Sequence, residues 1–339
     1  HSQNRRAGMS LLDIFNNDAF SLTSLTATLN ELPYKPGRIG DLGLFTESGI
    51  NTTTAIVESR NGELILLPTS ERGAPAPQAK GGKRKVRSFV IPHIPYDSTI
   101  VADEVRNVRA FGSESALEGV KTVVNQRLAS MNANHEVTLE HLRLGAIKGQ
   151  ILGADGSSII YDLFQEFGVT QQTHTFKFSL AETDVRLECV GLRRKVDKAL
   201  GAQPYTGLRG FCGADFYDGL VGHDYVKDAY HRFQDSALLR NDPKAGFRFG
   251  DIDWEEYRGQ VGDLPFIKAD EAYVIPEGTS IFRTWFAPAD FIETVNTIGL
   301  PRYAKQKIMD FDKGVQIHTQ SNPLPICLKP RAVIKCKMS

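Results

Sequence analysis

Four carboxylates, Asp251, Asp253, Glu255 and Glu256, crowd the stretch DIDWEEY, and carboxylate oxygens are the donors that Mg²⁺ or Ca²⁺ takes. The glycine turn and the closing bidentate glutamate of a calcium loop are missing, so the stretch predicts a solvated loop or strand edge. His223 and His231, with Asp224 and Asp228 between them, would lie on one helix face about two turns apart. No HExxH pattern accompanies them and no nucleophile elbow occurs elsewhere, so surface or packing histidines are expected. His135 falls on an apolar stripe and predicts a hydrogen-bonded interfacial histidine rather than a ligand or a pH switch. Gly81 and Gly82 precede Lys83 as in a phosphate loop, but Arg84 follows, and the glycine four residues earlier is absent. Cys189, Cys212, Cys327 and Cys336 form no CxxC pair, which predicts reduced thiols in a reducing cytoplasm. No catalytic, cofactor or metal site is predicted from these residues.

One charge run stands apart. Residues 69–88 (TSERGAPAPQAKGGKRKVRS) carry Arg72, Lys80, Lys83, Arg84, Lys85 and Arg87 against the single acid Glu71. Rich in Gly, Ala and Pro, the run cannot build a core and is expected as a long loop tip. It has no aromatic residue between Arg72 and Arg87, where single-strand nucleic-acid surfaces use aromatics for stacking. Contact with another subunit is the stronger expectation for these six side chains.

The elements that would carry these residues follow from periodicity. Residues 9–50 predict an extended arm with one short helix, which Ser21 or Thr23 caps and in which Leu22, Leu25 and Leu29 recur. Thr52–Glu58 and Leu64–Leu67 are β-branched or aliphatic and joined across Asn61 and Gly62, a two-residue hairpin signal; strand character resumes at Ser88–Ile91. Residues 52–95 thus predict a protruding β-hairpin. Over residues 114–148, Leu117, Val120, Val124, Leu128, Met131, His135, Leu139, Leu142 and Ala146 recur by threes and fours. That pattern predicts one helix roughly 50 Å long, ended by Gly149. A second hairpin (150–152 with 158–161), a strand (173–180), a helix (184–200, capped by Gly201), a strand at 208–212 and a helix from Ala214 follow. Pro323, Pro325 and Pro330 predict edge strands and turns at the carboxy end.

Length and charge bound the function. At 339 residues the chain exceeds one ordinary core, so two packed units plus extensions are expected. Lys plus Arg and Asp plus Glu are 40 each, a net charge of zero that excludes bulk electrostatic attraction to nucleic acid or membrane and permits self-association. No run approaches the roughly 20 apolar residues of a membrane span. Residues 1–8 (HSQNRRAG), before Met9, are expected to be a tag remnant.

FAPADFIETVNTIGLPRYAKQ (286–306) and QSNPLPICLKPRAVIK (320–335) resemble the carboxy-terminal block of the lambda-like phage major capsid protein E family. LPYKPGRIGDLGLFTESGI (32–50) and ADEVRNVRAFGSE (102–114) are similar to its amino-terminal blocks, and the resemblance covers Met9 to Ser339. It implies an α+β chain with the Hong Kong 97-type capsid fold: amino-terminal arm (9–50), extended β-hairpin loop (51–100) and peripheral domain (101–179) with a long spine helix (114–148). An axial α/β domain (180–298) and carboxy-terminal strands returning to the peripheral domain (299–339) complete it. It also implies a non-enzymatic subunit that forms the hexamers and pentamers of an icosahedral tailed-phage head around double-stranded DNA, without sequence-specific binding. Portal, scaffold or protease and decoration proteins would be its partners, and it would assemble in the host cytoplasm and reside in the virion. Some relatives with this fold join lysine to asparagine between subunits; Lys80, Lys83 and Lys85 occupy a suitable loop, but no acceptor can be identified and no cross-link is expected. An encapsulin-like compartment shell is the alternative, and a soluble enzyme a third class.

Overall fold

The computed structural model describes residues 18–31, 37–60, 84–105, 116–201, 203–227, 247–261 and 264–339. Its axis is the helix Ala116–Lys148, 33 residues long. The predicted stripe is the buried one: Val120, Val124, Leu128, Met131, His135, Leu139, Leu142 and Ala146 are all withdrawn from solvent. Gly149 ends the helix in the left-handed region at φ 86°, and a side chain there would also collide with the Phe164 ring. At 1.5 Å per residue the helix is about 50 Å long, too long for one core, and it spans two. Val120, Val124, Leu128 and Met131 pack with Phe20, Leu25, Leu29, Ile100, Val315 and Ile317. Leu142, Leu144, Ala146 and Ile147 belong to the larger core with Phe176, Phe211 and Trp254.

The strands, in chain order, are β1 (Thr46–Gly49), β2 (Thr54–Arg60), β3 (Arg84–Val90), β4 (Ile94–Val101), β5 (Gln150–Leu152), β6 (Ile159–Asp162), β7 (Gln172–Phe176), β8 (Gly207–Cys212) and β9 (Phe247–Phe249). Then come β10 (Ile252–Glu256), β11 (Gln260–Val261), β12 (Leu264–Pro265), β13 (Glu271–Glu277), β14 (Phe282–Phe286), β15 (Tyr303–Ile308), β16 (Gly314–Ser321), β17 (Pro323–Cys327) and β18 (Ile334–Met338). The largest sheet has the order β7-β18-β13-β8-β10-β9. The helix Val185–Leu200 lays Val185, Cys189, Leu192, Val196 and Leu200 into the same core. Asp184 caps that helix by accepting the Leu187 N–H at 3.0 Å, and Gly201 (φ 66°) ends it. A second helix, Ala214–Gly222, adds Phe216 and Leu220. Phe176, Phe216 and Trp254 meet with ring centroids 5.5–6.0 Å apart. Two three-stranded sheets, β1-β14-β17 and β15-β16-β4, are distinct from it.

Two expectations differ from the structure. Residues 320–338 are not all edge strands: β18 runs between β7 and β13, and β16 between β15 and β4, each paired on both sides. Only β17, which holds Pro323 and Pro325, is paired on one side, as a strand lacking those N–H donors must be. The strand expected over 173–180 stops at Phe176, because the Leu180 N–H turns back to the Lys177 carbonyl at 3.2 Å. Among the described residues β2 pairs with β3, from Thr54 opposite Val90 to Arg60 opposite Arg84. Leu64–Leu67 and the Asn61-Gly62 turn lie outside the described residues. The large sheet joins β7 and the final β18 to β8, β10 and β13.

Candidate functional site

Three of the six basic residues expected to contact another subunit, Arg84, Lys85 and Arg87, lie on β3. Arg72, Lys80 and Lys83 lie outside the described residues, while Arg84 and Lys85 open β3, paired with Arg60 and Ser59. The Arg87 guanidinium donates to the carbonyls of Glu166 (2.5 Å) and Phe167 (3.4 Å) and lies 5.0 Å from the centre of the Phe167 ring. These carbonyls end the short helix Leu163–Phe167, where a cation complements the helix dipole. Arg87 therefore anchors the base of the ribbon to its own chain. Strand alternation explains the rest: Ala55, Val57 and Phe89 face inward and are buried, and Ile56, Val86 and Val90 face out and are exposed.

The acidic motif is spent on arginines. Glu255 accepts from Arg38 and, at 3.1 Å, from Arg209, which also reaches Glu277 at 2.5 Å; Glu256 pairs with Arg258 at 2.6 Å. Asp251 sits in the tight β9–β10 turn with φ 62° after Gly250 at φ 61°, and its carboxylate lies 3.4 Å from Arg193. Among the described residues no group of His, Cys, Asp and Glu is arranged to hold a metal ion, and no helix is long and apolar enough to cross a membrane. His223 donates from Nε2 to the Leu180 carbonyl at 3.1 Å and accepts the Tyr225 N–H; His231 lies outside the described residues. All four cysteines are buried free thiols, and burial pushes Cys189 and Cys327 up to about 12.

His135 Nε2 lies 2.9 Å from the Thr319 hydroxyl, which donates its own proton to the Tyr96 carbonyl at 3.0 Å. The hydroxyl has only one hydrogen, so His135 must donate to it and is the neutral Nε2–H tautomer. Burial, first, and then the charges of Arg302 and His318 lower its pKa to about 4.

Sequence reasoning missed a buried polar band on the long helix beside His135. Arg302 bonds Asn132 and reaches Glu136 at 3.1 Å, and Arg143 bonds Glu47. Glu140 accepts the N–H groups of Ile39 (2.7 Å) and Gly40 (3.2 Å) and the Tyr257 hydroxyl (2.9 Å). Asn132, Glu136, Glu140 and Arg143, spaced by fours and threes next to the apolar stripe, were the available signal. A cavity of about 140 Å³ lies between Glu47, His135, Glu136, Phe286, Arg302 and Ser321. That is well below the roughly 300–1,000 Å³ of an ordinary small-molecule site. The band joins the amino-terminal segment, the helix and the carboxy-terminal strands, which is a structural task.

Comparison with known proteins agrees with this picture of a structural chain. The family model of phage major capsid protein E matches residues 21–338. The major capsid protein of Pseudomonas phage KPP10 is 28% identical, with 94% of this chain and 97% of that protein aligned. The major capsid protein of Salmonella phage Felix O1 is 25% identical, over 93% and 95%. A crystal structure described as that of a prophage capsid protein of E. coli CFT073 superposes with a TM-score of 0.58 at 16% identity, covering 94% of this chain and 99% of the other. A phage-related protein of Bordetella bronchiseptica RB50 gives 0.50 at 11% identity, covering 92% and 95%. The fold is α+β, of the Hong Kong 97 type. With the family model matched from the first described helix to the last strand, the chain belongs to the phage major capsid protein E family.

Proposed function

We propose that this chain forms the hexamers and pentamers of an icosahedral tailed-phage head. The match to the capsid family across residues 21–338 carries the reading. The head encloses double-stranded DNA without reading its sequence, in keeping with a net charge of zero. Portal, scaffold or protease and decoration proteins are its partners, assembly takes place in the host cytoplasm, and the assembled chain resides in the virion. It acts without catalysis, cofactor, metal or membrane. The division into arm (9–50), extended loop (51–100), peripheral domain (101–179), axial domain (180–298) and carboxy-terminal strands (299–339) is part of the same reading.

Within it, Arg72, Lys80, Lys83, Arg84 and Lys85 lie across an adjacent subunit, and Arg87 holds the ribbon from which they extend. The test is charge reversal of Lys83, Arg84 and Lys85 to Glu in the full chain. Thermal unfolding of the unassembled subunit should stay within about 1 kcal/mol of wild type, as surface changes usually do. Sedimentable particles should be lost, because like charges set against an acidic neighbour repeat their penalty at every copy. Normal particles from the triple variant would remove the loop from the assembly contacts.

A further inference from the structure

The net charge of zero hides an uneven surface. The helix Val185–Leu200 (VRLECVGLRRKVDKAL) carries five bases and two acids, and its apolar line of Val185, Cys189, Leu192, Val196 and Leu200 is spent on the core. Both acids are engaged within the chain: Glu188 lies 2.7 Å from His174 Nε2, and Asp197 accepts the Tyr205 hydroxyl at 2.6 Å. Two of the bases are engaged as well, Arg193 with Asp251 and Lys195 with the Thr173 carbonyl at 2.9 Å. Arg186, Arg194 and Lys198 are exposed and, among the described residues, make no hydrogen bond or ion pair. Lys329 Nζ donates to the Leu200 carbonyl at 2.9 Å, which ties the turn Pro330–Ala332 to the end of the helix and sets the exposed, likewise unpartnered Arg331 at that end.

The outermost line of this helix, opposite the core, reads Leu187, Gly191, Arg194 and Lys198. Two features of it serve nothing inside the subunit. Arg194 and Lys198 stand four apart, where like charges on a helix repel. Gly191 lies in mid-helix, where glycine is unfavourable, and a side chain in its place would meet open space. A glycine that internal packing does not require lets a partner come close to the helix backbone. Three of the four unpartnered cations are arginines, whose planar forks match phosphate. From Arg186 to Lys198 they extend over about 18 Å at 1.5 Å per residue, and a duplex carries a charge about every 1.7 Å. Leu187, 63% exposed, is the one apolar side chain on the line, too little apolar surface for a protein to dock on.

We propose that the outer face of the helix Val185–Leu200, with Arg186, Gly191, Arg194, Lys198 and the neighbouring Arg331, is where the enclosed duplex DNA touches the shell, through its phosphates. Such contacts position a duplex without reading its sequence. Four cations neutralise few phosphates, so binding per copy is weak and salt-dependent. The proposal rests on the shell reading above and turns this face of the subunit inward.

The unassembled full chain is titrated with a synthetic duplex of mixed sequence over a range of salt. The logarithm of the wild-type affinity should fall against that of salt with a slope of about −3 to −4, at about 0.9 per phosphate neutralised. The combined variant Arg194→Gln, Lys198→Gln and Arg331→Gln should bind at least tenfold more weakly, with the slope flattened by about 3. Two controls should stay within twofold of wild type: Lys268→Gln, Arg283→Gln and Lys307→Gln together, which remove as many exposed cations elsewhere, and Leu187→Ser. No wild-type binding at low salt, an equal loss in either control, or polyglutamate bound more tightly than the duplex overturns the proposal. In assembled particles, Lys198 should be acylated by an N-hydroxysuccinimide ester at least fivefold less with DNA inside than after its release, and equal labelling overturns the contact. A wild-type chain that forms no particles, or particles without DNA, overturns the shell reading and leaves the affinity of this face for phosphate to the titration.

Discussion

His135 makes the stability of the subunit depend on pH in a calculable way. The ring is 5% exposed, donates to Thr319, lies edge-on to Tyr96 and is flanked by Arg302, Glu136 and His318. Its folded pKa is lowered to about 4 from the ordinary 6.5, mainly by burial. Between these values the unfolded chain binds a proton that the folded chain refuses, so this contribution is fully present above pH 6.5 and is lost as pH falls toward 4. Linkage gives a loss of about 2 kcal/mol between about pH 7.5 and about pH 5, rising to about 3 kcal/mol below pH 4. Carboxylates with lowered pKa, such as Glu271, also lose stability in acid. The assay therefore compares urea unfolding of unassembled wild type and His135→Gln at both pH values. The amide can still donate to Thr319 but does not titrate. The wild type should lose about 2 kcal/mol more than the variant over that interval. Equal losses would show that His135 takes up its proton in the folded state as readily as in the unfolded one, and would refute the reasoning.

Three further outcomes follow from the packing. Leu128 is fully buried in the smaller core, so Leu128→Asp should cost several kcal/mol and leave insoluble or unfolded protein, checked by solubility and circular dichroism. Glu140→Ala removes the acceptor for two backbone N–H groups and a buried phenol and should lower subunit stability by about 3 kcal/mol, with Glu140→Gln costing less, measured by denaturant unfolding. Dithiothreitol should leave unfolding and particle integrity unchanged, because all four cysteines are buried free thiols; mapped Cys–Cys linkages by mass spectrometry would contradict this.

The sequence announced what is local. The long helix, the helix Val185–Leu200 with its Asp184 and Gly201 ends, and the Ser21 hydroxyl meeting the Ser24 N–H at 3.3 Å were all legible, since spacing and caps act over a few residues. Pairings between distant strands were not. Nothing in IKCKM signals insertion between β7 and β13, nor in TESG a parallel pairing with β14, because such strands are fixed by what packs on them. The charges on the buried side of the long helix were hidden for the same reason. Glu140 looks like a solvated helix residue until Ile39, Gly40 and Tyr257, about a hundred residues away in sequence, converge on it. At the candidate surface the basic run was visible as composition. Its anchoring through Arg87 and the outward face of Ile56, Val86 and Val90 required the register of β2 on β3.

The claim that this chain is a capsid subunit is tested most directly by electron microscopy of the full chain purified after expression. Closed, regular particles that resolve into hexameric and pentameric units are the predicted result. A small monodisperse oligomer, with no shells at any concentration or ionic strength, would contradict it.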